Sequence, residues 1–196
     1  AMPGGKLAPN LAKKGIKAAQ IVGPEGTLTV FNMDDPVIGG MSADKVALRR
    51  AIALAVDVPR EIRLVRRGQA ILAQSQVVPH TSGYVPDYKS EVSDYDPARA
   101  KALLDLYGYV DKDGDGWRDL PSGKPLVITR NTQNDSSSRA LDELWDKNFR
   151  AIGIRMELKV AQWPENLKSA RSGRFMIWGV ANSAAQPDGQ NLLQRL

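Results

Sequence analysis

The C-terminal half of this 196-residue chain alternates two hydrophobic periods, and that alternation limits the fold more than any other feature. Lys124 to Arg130 reads as a strand. Asp135 caps a helix whose apolar residues, Leu141, Leu144, Trp145, Phe149 and Ile152, recur at spacings of three and four until Gly153. Ile154, Met156, Leu158 and Val160 then alternate with Arg155, Glu157 and Lys159, the period of a half-buried strand. Pro164 to Arg171 predicts a short helix, ended near Gly173. Phe175 to Val180 (FMIWGV) is uniformly apolar, as a strand buried on both faces would be. Strand-helix-strand-helix-strand argues for an α/β fold with a mixed, largely buried sheet flanked by helices.

The N-terminal half supplies further layers. Pro9 to Lys14 predicts a short helix, Ile16 to Val22 an extended stretch, Gly23 to Gly26 a turn, and Thr27 to Asn32 a strand rich in β-branched residues. In Ser42 to Arg67, Leu48, Ala51, Ile52, Ala55 and Val56 share one helical face. Proline disfavours a helical residue before it, so Asp57-Val58-Pro59 ends that helix and starts a second, closed by Gly68. Gln69 to Lys89 is a long connection containing Pro79, Gly83 and Pro86, the kind of loop that is usually functional or mobile. Asp96-Pro97 caps another helix, with Ala100, Leu103, Leu104 and Tyr107 on its apolar face.

Residue usage removes several function classes. There is no cysteine, so disulfides, thiolate metal sites and cysteine nucleophiles are out. His80 is the single histidine, which excludes a multi-histidine metal site. No cofactor and no catalytic set is expected. The net charge of +5 would permit nucleic-acid binding. However, the basic residues are spread over helical faces, and the densest group, Arg63-Arg66-Arg67, suits a helix C-terminus. A nucleic-acid partner is therefore not expected. No apolar run is long enough to span a membrane. Ala1-Met2 reads as added residues before an internal start.

Two stretches could carry chemistry. Asp111, Asp113, Asp115 and Asp119, with Gly116 at the sixth position, match the start of a calcium loop. Position twelve is Ser122 in place of the bidentate glutamate, and a polar hairpin turn explains the same residues. In Trp178 to Gln190 a buried strand runs into a small-residue loop, and ligands of open α/β sheets sit beyond the carboxyl ends of strands. Trp178 could stack on a ligand or be core; Asn182, Ser183 and Asp188 offer hydrogen-bonding groups.

Several segments in one order carry a family resemblance. KVALRRAIALAVDVPREI, the preceding strand with Asn32, YDPARAKALLDLYGYVDKDGDGWRD, LWDKNFRAIGIRMEL and FMIWGVANSAAQPDG resemble the peptide-class substrate-binding proteins of ABC importers, the oligopeptide, dipeptide and nickel group. The resemblance implies a periplasmic-binding-protein-like fold of two lobes that close on a ligand. Residues 1–196 would be one α/β lobe, most of the C-terminal one, with the first lobe and the chain end absent. It implies a non-catalytic protein, periplasmic or extracellular and either free or lipid-anchored, peripheral to the membrane, which delivers a small-molecule or peptide ligand to ABC permease subunits. Trp178, Asn182, Ser183, Asp188 and Gln69, the last at the start of the long connection, become the candidate ligand contacts. Peptide binders of this family carry a Trp and an Asp seven and four residues before the proline matching Pro187. Here those positions are Val180 and Ser183, which leaves that anchor without the carboxylate that pairs a peptide's amino group. A basic nucleic-acid-binding domain and a calcium-binding interaction module are the alternative readings.

Overall fold

Among the described residues, helix breakers and strand formers place eleven elements: α1 (Pro9–Ala12), β1 (Glu25–Phe31), α2 (Ala43–Ala55), α3 (Val58–Leu64), α4 (Pro97–Leu106), β2 (Val127–Thr132), α5 (Ser136–Ala151), β3 (Arg155–Val160), α6 (Trp163–Arg171), β4 (Ile177–Ser183) and α7 (Gln190–Leu193). The computed structural model describes residues 7–91, 93–184 and 186–193. The chain divides into two compact units. One comprises residues 27–57 and 90–180, the other residues 1–26, 58–89 and 181–196.

The first unit is built on a sheet of strand order β1-β4-β2-β3. β2 runs parallel to both β3 and β4, with Asn131 opposite Lys159 on one side and Trp178 on the other. Paired residues of parallel strands share a face, so Thr129, Asn131, Lys159 and Trp178 look one way and Ile128, Arg130 and Ile177 the other. α5 packs on the second face, where Arg130 reaches Asp142 at 3.0 Å and lies 4.4 Å from the Trp145 ring centre. α6 packs on the first, its Trp163 ring 5.3 Å from Trp178. As the apolar run predicted, β4 lies inside the sheet, and Ile177 and Trp178 are buried. The α/β expectation of a mixed sheet flanked by helices holds.

Caps form where the sequence placed them. The Asp96 carboxylate accepts from Arg99 N at 2.9 Å with Pro97 at the first helical position, and Asp135 accepts from Ser137 N and Ser138 N. The predicted face of α2 is buried throughout and meets α4 and α5. Two cations beside that face hold the preceding loop: Lys45 donates to the carbonyls of Pro36 and Val37, and Arg49 to that of Ile38. Gly39 in that loop is sterically required, because a Cβ there would stand 2.3 Å from the Met33 carbonyl oxygen.

The β3 expectation needs correction. Ile154 is buried, but Leu158 and Val160 are 44 % and 54 % exposed. β3 is an edge strand, and alternation alone does not tell how far a covering helix extends. The Arg-rich turn also falls differently: α3 ends at Leu64, and Arg66 lies beyond it, paired to Glu61 at 3.1 Å.

In the second unit, β-like pairing between Ser82 and Asp188, with Ser82 N donating to the Pro187 carbonyl at 3.0 Å, fastens the long connection to the C-terminal tail.

Candidate functional site

In the sheet unit, the carboxyl ends of β2 and β3 are tied to the start of α6 by one side chain. Ala161 N continues the ladder to the Thr132 carbonyl at 3.1 Å. Asn166, 1 % exposed, donates from Nδ2 to the Thr132 carbonyl at 2.7 Å and to the Ala161 carbonyl at 3.2 Å. Its Oδ1 accepts from Asn131 Nδ2 at 3.3 Å. A buried amide with unmet donors would be costly, so this asparagine fixes the backbone between Val160 and Trp163. Gln162 N also donates to Glu165 Oε2 at 3.2 Å, which steadies the helix start.

The result is an aromatic surface at the strand ends. Trp163 is the first residue of α6 and is 46 % exposed, while Trp178 beneath it is 7 % exposed. Of the two rings, Trp163 is the one open to a partner. Sequence reasoning missed it because its position beside a proline resembles a helix start and nothing more. The available signal was its place, directly after a strand of a parallel sheet.

The other predicted contacts lie in the second unit. Asn182, next to last in β4, is buried, and Ser183 at the strand's end is exposed. Asp188 lines a concavity of about 580 Å³ with Val77, Ser82, Gly189 and Leu193, and its Oδ1 accepts from Gln190 N at 2.7 Å. Gln69 is exposed in the turn after α3, its N–H bonded to the Arg66 carbonyl at 2.9 Å, and does not line that concavity. Trp178 belongs to the sheet unit.

Asp111, Asp113 and Asp115 place carboxylate oxygens within 4.8 Å of one another on the surface. Local groups already use them. Asp111 accepts from Gly114 N and Gly116 N, Asp113 from Asp115 N, and Asp115 pairs with Arg155 at 2.9 Å. The Gly116 N–H, foremost, holds the Asp111 carboxyl below the usual carboxylate value. Asp119 stands apart from the three: it is buried and accepts from Lys112 N at 2.9 Å. Trp117 lies 5.4 Å from both Arg150 and Arg155, so the loop is anchored on α5 and β3.

With the geometry in place, comparison with known proteins decides the family. The sequence profile of the bacterial extracellular solute-binding proteins, family 5 Middle, matches residues 2–196. The chain belongs to this family. The family 5 chain is 26 % identical over 148 residues to the dipeptide-binding protein of Escherichia coli (strain K12), covering 74 % of this chain and 26 % of that protein. It thus spans about a quarter of the length of the curated relatives it matches. Its fold is that of NikA from Brucella suis, solved with Fe(III)-EDTA, at TM-score 0.75 and 24 % identity, over 94 % of this chain and 36 % of that one. It is likewise that of an oligopeptide-binding protein from Thermotoga maritima, solved with mannohexaose, at TM-score 0.76 and 19 % identity, over 98 % and 38 %. The relatives named are binding proteins, and the family is one of extracellular proteins. Among the described residues no helix is long and apolar enough to cross a membrane.

Proposed function

We propose that this chain is most of one lobe, the C-terminal one, of a longer two-lobed solute-binding protein. That protein works outside the cytoplasmic membrane, lipid-anchored or free, and delivers a small solute to the permease of an ABC importer without transforming it. The observation that carries this reading is the family match across residues 2–196. Ligand binds both lobes in the closed form, and its contacts there offset the cost of closure.

Within the sheet unit, the open ring of Trp163, backed by Trp178, offers a flat apolar surface to the ligand. Within the other unit, Asn182, Ser183, Asp188 and Gln69 are the polar contacts. The relatives' solutes are diverse: a dipeptide for the Escherichia coli protein, a metal chelate and an oligosaccharide for the two solved structures. Ser183 cannot neutralise an ammonium, so the charge of a peptide's amino end would be met by Asp188, with Asn182 offering only a hydrogen-bond acceptor.

Calorimetry on the chain alone and on the full-length protein tests the lobe assignment. The solute is first identified by native mass spectrometry of the full-length protein purified from its own compartment. We expect the chain alone to bind that solute far more weakly; equal affinity overturns the assignment.

A further inference from the structure

At the start of β4, a main-chain N–H of the sheet meets sulfur in place of a carbonyl. β2 pairs with β4 from Arg130, opposite Ile177, onward. Just before that point the Phe175 and Met176 carbonyls both serve Asn32: they accept from its side-chain amide and its main-chain N–H, each at 2.9 Å. Thr129 N–H meets the Met176 thioether at 3.3 Å. Thioether sulfur is a weak acceptor, so this donor is poorly served.

Met176 is half-buried and lines a trough of about 370 Å³ in the sheet unit, together with Asn32, Thr129 and Arg174. That is many times the roughly 30 Å³ a water-sized molecule occupies in the liquid. A peroxide can therefore reach the side chain from the trough. Divalent sulfur carries two lone pairs. Thr129 N–H engages one, which leaves the other for reaction.

We propose that Met176 is a site of reversible oxidation by a peroxide and that it forms a single sulfoxide epimer. The free lone pair attacks one oxygen of hydrogen peroxide. The O–O bond breaks as the S–O bond forms, and the departing hydroxide takes the proton of the transferred oxygen and leaves as water. Sulfur loses two electrons and the peroxide gains them. Because oxygen adds opposite Thr129 N–H, the new stereocentre has one hand. A sulfoxide ordinarily disrupts a packed site by making it polar. Here rotation about Cγ–Sδ brings the new oxygen to Thr129 N–H, which exchanges a weak acceptor for a strong one. The sheet absorbs the modification, and a sulfoxide reductase restores the thioether. This site uses none of the ligand contacts assigned above and does not depend on the lobe assignment.

The test is treatment of the chain with hydrogen peroxide, then digestion and exposure of the peptides to methionine sulfoxide reductase A or B, each of which acts on one epimer. Met41, 79 % exposed, is the internal reference. Its sulfoxide should be divided between the two enzymes, whereas one enzyme should remove nearly all of the Met176 sulfoxide. Hydrogen exchange at the Thr129 amide should slow about fivefold on oxidation, the worth of one ordinary hydrogen bond. Met176→Leu, close in volume, should leave that exchange unresponsive to peroxide. A Met176 that stays reduced while Met41 is oxidised, a sulfoxide divided like that of Met41, a Thr129 amide that is not slowed, or the same slowing in Met176→Leu overturns the proposal.

Discussion

The side-chain amide of Asn166 donates to the main-chain carbonyl of Thr132 at 2.7 Å, although the two residues lie 34 apart in sequence. This bond, with those to Ala161 and Asn131, makes the strand ends and the start of α6 one rigid piece. Replacing Asn166 by Leu would leave the Ala161 carbonyl and the Asn131 amide without these partners. Each unmet buried group costs about 1–3 kcal/mol, so urea denaturation should show a loss of several kcal/mol. Asn166→Asp should be no milder, since a carboxylate would face two carbonyl oxygens.

Gly153 closes α5 with φ +77°, and a Cβ there would lie 3.3 Å from Arg118 Cγ. Arg118 is occupied three ways: with the Ile152 carbonyl at 2.7 Å, the Tyr109 carbonyl, and the Asp105 carboxylate. Left-handed backbone costs a non-glycine residue about 1–2 kcal/mol, and crowding adds to it here. Gly153→Ala should therefore lower stability by about 2 kcal/mol. Arg118→Ala in the same chain should relieve the crowding but not the backbone cost, so the two effects should fall short of additive in a double-mutant cycle.

The elements legible from sequence are those in which a local signal and a buried face agree. Asp96 and Asp135 cap, Leu144, Trp145 and Phe149 line one buried helical face, and Ile177-Trp178 is buried on both sides of a central strand. What stayed hidden depends on partners distant in sequence. Leu158 and Val160 alternate correctly, yet they are exposed because β3 is an edge strand. Arg130, Asp142 and Asn166 look like surface residues in sequence; only the packing of α5 on one face of β2 and of α6 on the other buries them. The half-exposed ring of Trp163 was illegible for a related reason, since it rests against Trp178, fifteen residues further along the chain.

Stability should fall toward both pH extremes, for different groups. The Ser138 hydroxyl, foremost, holds the Asp135 carboxyl below the usual 3.8, and the Ser42 hydroxyl does the same for Asp44. Depressed values mean that this contribution is complete above the unfolded value and is lost as pH falls through the folded ones. Burial pushes the Tyr109 phenol up to about 12, and its hydroxyl donates to the Asp44 carbonyl at 3.2 Å. A raised value means that its contribution is present below the unfolded value near 10 and disappears as pH rises through about 12. Denaturation midpoints across pH should show both limbs. Ser138→Ala should flatten the acid limb, and Tyr109→Phe the alkaline one.

The Arg130–Asp142 pair separates charge from packing. Both side chains are about 5 % exposed or less, at 5 % and 4 %, and Asp142 also accepts from Thr132 Oγ1 at 2.6 Å. Arg130 stacks on Trp145, and its Nη1 has no hydrogen-bond partner. Asp142→Ala leaves a guanidinium buried without its counter-charge, which costs about 3–5 kcal/mol. Replacing both partners by apolar residues of similar volume, Arg130→Met with Asp142→Leu, removes the desolvation cost along with the attraction. The double variant should recover most of the stability that Asp142→Ala loses. Equal losses in the single and double variants would instead assign the cost to packing around Trp145.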